Sequence, residues 1–569
     1  MKNIIIIDVD ALMPTRLGLG GNLASVSPTL NKLAETSLHC TNVFSMGNPT
    51  EFALPGLFAS AYLLDANGSR YGISDNDITF AEVLKKHGYH TTAFMTAFRP
   101  AADNYDRGFD DFYNLIDLQV TEKNLMNTGK WYQKQYHNTG RLISKDECVQ
   151  DMIKYYEEYL SDMLRYCDNW DLYKTSSEIP KSAIFHNVDY NNVRKAINDD
   201  KILFENNRSD YIIKYLSGGE LGISKIAENI RTNRNKKLTT TLMDIKIRLI
   251  LLLNIFLFYQ KSSSPVSAKN IVGHVLSIVR NGRKGLLSRY PSGQYIFNIF
   301  SNWLNKNYSN NKPFFVYMKL MDVHEMNVYS HDIQNPETNN RECQSLLSFL
   351  SDVKADKKYS GNVLYDAAIR YNDEIIKNIL NILKNRKIID NTIVVITADH
   401  GGQFPNLPVR DNDRHRAESF ADELYKIPLI LKGNGIPAKK YEKIISSVDI
   451  NTTLLEMVGI NSPPSFRGMV ITDNDFSRDY VISENQGRGP FHLKYKPIRV
   501  SVRSEQKKIV YISKAKAKAK AKHEGVVTQA FDLSADPEEY VNLAENAQFI
   551  NECKDLITVA KNRVKEILS

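Results

Sequence analysis

Ile4-Ile5-Ile6-Ile7-Asp8-Val9-Asp10 lies almost at the start of the chain, and Thr392-Ile393-Val394-Val395-Ile396-Thr397-Ala398-Asp399-His400 has the same form much later. Each is a short, almost wholly apolar run that ends in acidic residues. A strand buried on both faces reads this way, and such strands belong to parallel sheets covered by helices. Phe314-Phe315-Val316-Tyr317-Met318-Lys319-Leu320, followed by Met321-Asp322-Val323-His324, is a third run of the same kind. In open α/β sheets ligands bind at the carboxyl ends of the strands, so groups far apart in sequence converge there. A single strand-end aspartate is more often a turn or cap residue. Three such ends, two of them with histidine, point to a metal site. Carboxylate and imidazole donors suit Mn, Zn, Mg or Ca, and residue types alone do not choose among them.

Working outward, residues 1–113 alternate strand-like and helix-like patterns, the signature of an α/β sheet flanked by helices. Residues 27–38 read as an amphipathic helix with Ser27 as N-cap and Pro28 at the first helical position. Residues 80–87 read as a second helix, closed by Gly88, and 91–95 as the next strand. Residues 114–311 form an insertion rich in Asn, Tyr, Lys and Ser, with helical runs around 149–166 and 223–253. The α/β pattern resumes over 312–478, with a long helix over 363–383, a buried strand over 427–431 and a helix over 450–458. Residues 479–569 form a small C-terminal α+β subdomain, with strands over 498–502, 508–512 and 528–533 and a terminal helix from 551. The run Lys514 to Lys522, which alternates lysine and alanine, is an exposed loop to which no chemistry is assigned.

Hydrophobic residues are 42% and charged residues 24% of the 569, which excludes a largely disordered chain. The net charge of +8 is concentrated in the insertion: residues 201–310 hold 17 Lys and Arg against 5 Asp and Glu. A solvated helical face explains such a surplus, and steering of an anionic substrate or lipid headgroup is the competing explanation. Five widely spaced cysteines without a C-x-x-C pair read as reduced thiols of a cytoplasmic protein. The opening isoleucine run turns acidic too soon for an export signal. The apolar stretch over 249–259 is far shorter than the roughly 20 residues a bilayer span needs. It reads as a core helix or, because lysines and arginine flank it over 246–269, as a helix lying on a membrane surface.

A hydroxyl completes the constellation. Asn48-Pro49-Thr50 precedes the apolar run 52–60. A threonine at a helix start is commonly an N-cap, but one beside a divalent ion can act as a nucleophile. At this point the sequence resembles the sulfatase branch of the alkaline phosphatase superfamily. The collinear blocks are IIIIDVDALMPTRLG (4–18), SPTLNKLAETSLHCTNVF (27–44), residues 79–112 ending in DRGFDDF, YDAAIRYNDEII (365–376), TIVVITADHG (392–401), SFADELYKIPLIL (419–431), DINTTLLEMVGI (449–460) and FDLSADPEEYVNL (531–543). The resemblance covers roughly 1–113 and 313–545 and implies an alkaline-phosphatase-like α/β sandwich with a mainly parallel central sheet.

The departures bear on function. The usual nucleophile motif, C-x-P-x-R or S-x-P-x-R, is replaced so that Thr50 stands at the nucleophile, Phe52 at the proline and Leu54 at the arginine. Ala11 stands where a calcium-binding sulfatase usually has a second aspartate. A threonine followed five residues later by proline, as Thr50 is by Pro55, is similar to the phosphoethanolamine and phosphoglycerol transferases of the superfamily. The resemblance implies one or two divalent ions, with Asp10, Thr50, Asp399 and His400 as ligands. It implies His324 as the anion-binding histidine and Lys319 as a second anion-binding group. His415 is either a further substrate-binding histidine or a surface histidine of a charged loop. The expected activity is metal-dependent cleavage or transfer of a phosphate or sulfate ester, saccharide- or lipid-linked, with Thr50 and His324 as catalytic groups and no nucleic acid involved. A sulfatase working without formylglycine and a non-catalytic binder of anionic glycans or lipids are the other readings.

Overall fold

The computed structural model describes residues 1–66, 72–96, 104–115, 118–138, 143–175, 190–222, 291–308, 312–326, 361–402, 419–487, 496–514 and 525–569, with short stretches between 345 and 359. The central sheet is built from β1 (Asn3–Val9), β2 (Leu38–Phe44), β3 (His90–Met95), β4 (Asp111–Asn114), β5 (Phe314–Leu320), β6 (Thr392–Thr397), β7 (Lys426–Lys432), β8 (Lys439–Tyr441) and β9 (Ile445–Ser446). Its order is β4-β3-β5-β1-β6-β7-β2-β8, with β9 paired to β2. The pairs among β4, β3, β5, β1 and β6 are all parallel, whereas β7 runs antiparallel to both β6 and β2.

The three runs that opened the sequence reading are neighbours at the centre: β5, β1 and β6 lie side by side. Every residue of all three is buried, which is why their sequences lack the alternation of a half-exposed strand. Their register is in step, with Asp8 opposite Lys319 on one side and Thr397 on the other. The carboxyl ends therefore emerge together.

Helices flank the sheet in two groups that pack among themselves. Pro28–Glu35, Gly293–Asn307 and Val363–Asn385 form one, and Thr50–Ala59, Phe80–Lys86 and Asp449–Met457 the other. The first helix ends at Glu35, short of the expected 38, because Leu38 begins β2. Pro28 takes the first helical position, but the Ser27 hydroxyl does not cap: it donates to Asn31 and accepts from the Gly18 amide. A capping box between Thr79 and Glu82 starts the helix at Phe80.

In the insertion, helices Leu118–His137, Lys145–Thr175, Tyr190–Asn206 and Arg208–Leu216 pack together. Their interior mixes aliphatic side chains such as Leu125, Leu160 and Ile197 with many aromatic ones, Tyr156, Tyr159, Phe204 and Tyr215 among them. The buried Asp200 accepts hydrogen bonds from Tyr156 and Tyr211, so the polar ends of these side chains are satisfied internally. The sequence reading anticipated only the centre of the second helix. The helix expected over 223–253, the apolar stretch 249–259, the greater part of the basic window and most of the lysine–alanine run lie outside the described residues. Among the described residues no helix is long and apolar enough to cross a membrane. Cys40, Cys148, Cys167 and Cys553 are buried.

The C-terminal part is an antiparallel sheet of β10 (Val481–Asn485), β11 (Arg499–Arg503), β12 (Lys507–Ser513) and β13 (Gly525–Asp532), with helix Lys554–Leu568 packed on β11 and β12. Arg563 of that helix grips Glu484 through two nitrogens at 2.9 and 3.1 Å and reaches Asp65 at 2.7 Å. The charge-assisted fork to Glu484 lies within the subdomain, and the Asp65 contact ties the subdomain to the body carrying the central sheet.

Candidate active site

Asp10 follows β1 directly, and its amide donates to Leu320 O at 2.9 Å, carrying the β1–β5 ladder one step past the strand. The chain then turns through Ala11, which sits in the left-handed region at φ 60°. Tyr365 braces this turn by donating to Ala11 O at 2.7 Å and accepting from the Met13 amide at 2.9 Å. Asp399 leaves β6 alongside it, and its Oδ1 accepts from the His400 amide at 2.9 Å and the Ala11 amide at 3.4 Å. The next residue must be glycine, because a Cβ on Gly401 would lie 1.9 Å from Glu423 O.

Helix Thr50–Ala59 is buried at every position except Glu51, as expected for a segment apolar on all sides. Its N-cap is Pro49, and no side chain caps it. Thr50 is thus not used as a cap. Its hydroxyl instead donates to Asp10 Oδ2 at 3.2 Å and lies 3.2 Å from His400 Nε2. Thr50, Asp10, Asp399 and His400 are all buried, so four side chains from three chain segments meet in a dry site.

The donor set fits a divalent ion. One ligand atom each from Asp10, Asp399 and His400 lies within 4.8 Å of the others, the span of a single coordination sphere with bonds of roughly 2.0–2.4 Å. His400 Nδ1 lies 2.6 Å from Gly401 O. A carbonyl only accepts, so Nδ1 carries a proton and Nε2 is the ring atom that faces Thr50, as in a metal-ligating histidine oriented by a hydrogen bond from its other nitrogen. The buried Oδ1 of Asp10 is left without a hydrogen-bond donor. Burial would raise the Asp399 carboxyl, but His400 and Lys319 hold it well below the usual carboxylate range.

Lys319 is fully buried, and its Nζ lies 2.9 Å from each of Asp8 Oδ2, Asp10 Oδ2 and Asp399 Oδ2. The expected anion-binding lysine therefore faces the carboxylates that would hold the ion. Burial alone would lower its pKa, yet the three carboxylates push it well above the ordinary lysine value. Asp8 completes the group, accepting a hydrogen bond from the Tyr317 hydroxyl at 2.6 Å. Burial and the neighbouring carboxylates raise its pKa despite Lys319.

Asp8 was noted as a strand-end acid but given no role, and Tyr317 was not singled out. Asp8 and Tyr317 carried a signal, since they are polar groups two residues from Asp10 and Lys319 and so share a strand face with them. Asp322 does not join the site: its carboxylate accepts from the Gly293 amide at 2.9 Å and secures that helix.

His324 lies in the short helix Asp322–Glu325 after β5, and its side chain is 44% exposed. Desolvation opposes its protonation, but Asp10, Glu325 and Asp399 raise its pKa to about 9. It is a cation at neutral pH, in the field of the site and reachable from solvent. His324→Gln is expected to raise KM for an anionic ester about tenfold with less effect on kcat. The wild-type KM should rise as pH passes through about 9, where the imidazolium is lost, and the variant should lack that rise. His415 lies outside the described residues.

Comparison with known proteins agrees with this architecture. The family model described as Sulfatase matches residues 2–460. Arylsulfatase K of Xenopus laevis is 24% identical over 270 residues, which are 45% of this chain and 46% of the relative. Choline-sulfatase of Rhizobium meliloti (strain 1021) is 26% identical over 201 residues, 34% of this chain and 35% of the relative. The chain thus spans less than half the length of these curated relatives. Among solved structures, BT1596, a 2-O GAG sulfatase, superposes with a TM-score of 0.51 at 13% identity, covering 99% of this chain and 92% of that one. The phosphonate monoester hydrolase SpPMH from Silicibacter pomeroyi gives 0.50 at 13% identity, over 100% and 97%. With a family match across most of its length and a strand-end acidic centre on an α/β sheet of this order, the chain belongs to the sulfatase family.

Proposed function

We propose that the protein is a metal-dependent hydrolase or transferase of phosphate or sulfate esters in which Thr50 is the nucleophile. One observation carries the reading: the Thr50 hydroxyl is buried between Asp10 Oδ2 and His400 Nε2, at 3.2 Å from each. Asp10, Thr50, Asp399 and His400 would hold one divalent ion. Such an ion, when bound, lowers the pKa of a nearby hydroxyl and neutralises charge developing on the ester oxygens. Asp10 Oδ2 accepts the Thr50 hydrogen bond, which aims the proton away and leaves an oxygen lone pair for attack. The Thr50 oxygen would bond to phosphorus or sulfur, its proton passing toward Asp10, while the leaving oxygen departs and takes up a proton. Water or an acceptor hydroxyl would then displace Thr50 and restore it. The cationic His324 would hold a non-bridging oxygen at the open side.

The threonine in place of the convertible cysteine or serine favours the phosphotransferase-like branch. The printed names of the relatives, arylsulfatase and choline-sulfatase, favour sulfate. A saccharide- or lipid-linked anionic ester suits both. Aryl phosphate and aryl sulfate assayed in parallel, with mass spectrometry of enzyme quenched during turnover, test the reading. The expected result is turnover with a phosphoryl or sulfuryl group on the Thr50 peptide. Turnover with the adduct on another residue would sink it.

A further inference from the structure

We propose that Lys319 is a built-in cation of the strand-end centre: its ammonium fills a position that a divalent ion would otherwise take, so the centre binds one ion fewer than its carboxylates could hold. The inference rests on reading Asp10, Asp399 and His400 as an ion-binding corner, and its test is separable from that reading.

Lys319 reaches the cage from β5, whereas the carboxylates come from β1 and β6. Asp8 and Lys319 are direct partners in the parallel register, so their side chains share one face of the sheet. The ammonium donates a hydrogen bond to Asp8 Oδ2 and ion-pairs with Asp10 and Asp399, each at 2.9 Å. Asp10 and Asp399 also face His400 Nε2, at 3.8 and 3.6 Å. The two carboxylates therefore bridge between the ammonium and the imidazole–hydroxyl corner, as carboxylates bridge two cations in paired-ion centres.

Charge balance points the same way. With Asp8, Asp10 and Asp399 all ionised, one ammonium leaves two negative charges in excess, a surplus that is very costly away from water. One divalent ion removes it, and a second would leave the site positive. A buried ion pair with only a structural role needs one carboxylate per lysine. Here Asp8 alone would serve, with Tyr317 as its second donor. Two further carboxylates on the same ammonium are what a shared cation position requires. Asp8 Oδ1 and Asp10 Oδ1, buried and still without a hydrogen-bond donor, mark the remaining coordination capacity.

The test counts ions. Wild type, Lys319→Ser and the double variant Asp8→Asn/Lys319→Ser would be equilibrated with Mn(II), freed of excess ion, and analysed for manganese per chain and for spin coupling by electron paramagnetic resonance. Serine removes both the charge and the volume of the lysine. The double variant also removes one carboxylate, which keeps the net charge of the cage if the single variant does not fold. The expected result is one more manganese per chain in the variant than in wild type, with spin coupling between paired ions where wild type holds one. An unchanged count in a folded variant overturns the proposal, as do two ions in wild type. No ion in wild type but one in the variant supports the role of Lys319 while removing the metal-dependent reading above.

Discussion

Thr50→Ala should abolish turnover, by at least about 10³-fold in kcat, while leaving the protein folded and able to bind its substrate. The hydroxyl is the only group of Thr50 that meets Asp10 and His400, and alanine removes it without disturbing the helix start, where Pro49 is the N-cap. Thr50→Ser retains the oxygen and should retain part of the activity. Had the hydroxyl been a cap, alanine would cost about 0.5–2 kcal/mol of stability and leave chemistry intact. Steady-state rates on the better aryl ester, paired with thermal unfolding, separate the two. A Thr50→Ala variant turning over at the wild-type rate would end the nucleophile assignment.

The second large effect belongs to Asp399. Asparagine is the informative substitution, because its amide oxygen can still accept from the His400 and Ala11 amides as Asp399 Oδ1 does. The charge is lost, and with it the Oδ2 acceptor of Lys319. Asp399→Asn should weaken divalent-ion binding by roughly 100-fold or more, with activity falling in parallel and little change in melting temperature. Lys319 keeps Asp8 and Asp10 as partners in this variant, so the cage should not collapse. Equilibrium dialysis followed by elemental analysis measures the effect. Wild-type affinity for the ion in Asp399→Asn would show that the aspartate is structural.

Local pattern made much of the scaffold legible in the sequence. Short apolar runs rich in β-branched and aromatic residues read as buried strands, and Phe314–Leu320 and Thr392–Thr397 form as read. The helix at Phe80 and the long helix from Val363 likewise follow from apolar spacing, because 3.6-residue periodicity is set by neighbours in sequence. The insertion was harder. Its helices bury tyrosine more than leucine, and a tyrosine is apolar or polar according to whether its hydroxyl finds a partner such as Asp200. That partner is supplied only by packing.

The sequence by itself determined which groups stand at the strand ends, Asp10, Asp399 and His400, because these follow from residue order and strand period, and its resemblance to sulfatases set Thr50 beside them as the expected nucleophile. Tertiary structure alone decided how they are used. Strand order placed β5 and β6 on either side of β1 and so put Lys319 among three aspartates rather than facing an anionic substrate. It turned the Thr50 hydroxyl toward Asp10 instead of its own helix, and it sent Asp322 to a helix start while Asp399 stayed in the site. A side chain's chemistry is written in its own residue, but its charge and reach act on whatever the fold brings within a few ångströms, and those neighbours lie hundreds of residues away along the chain.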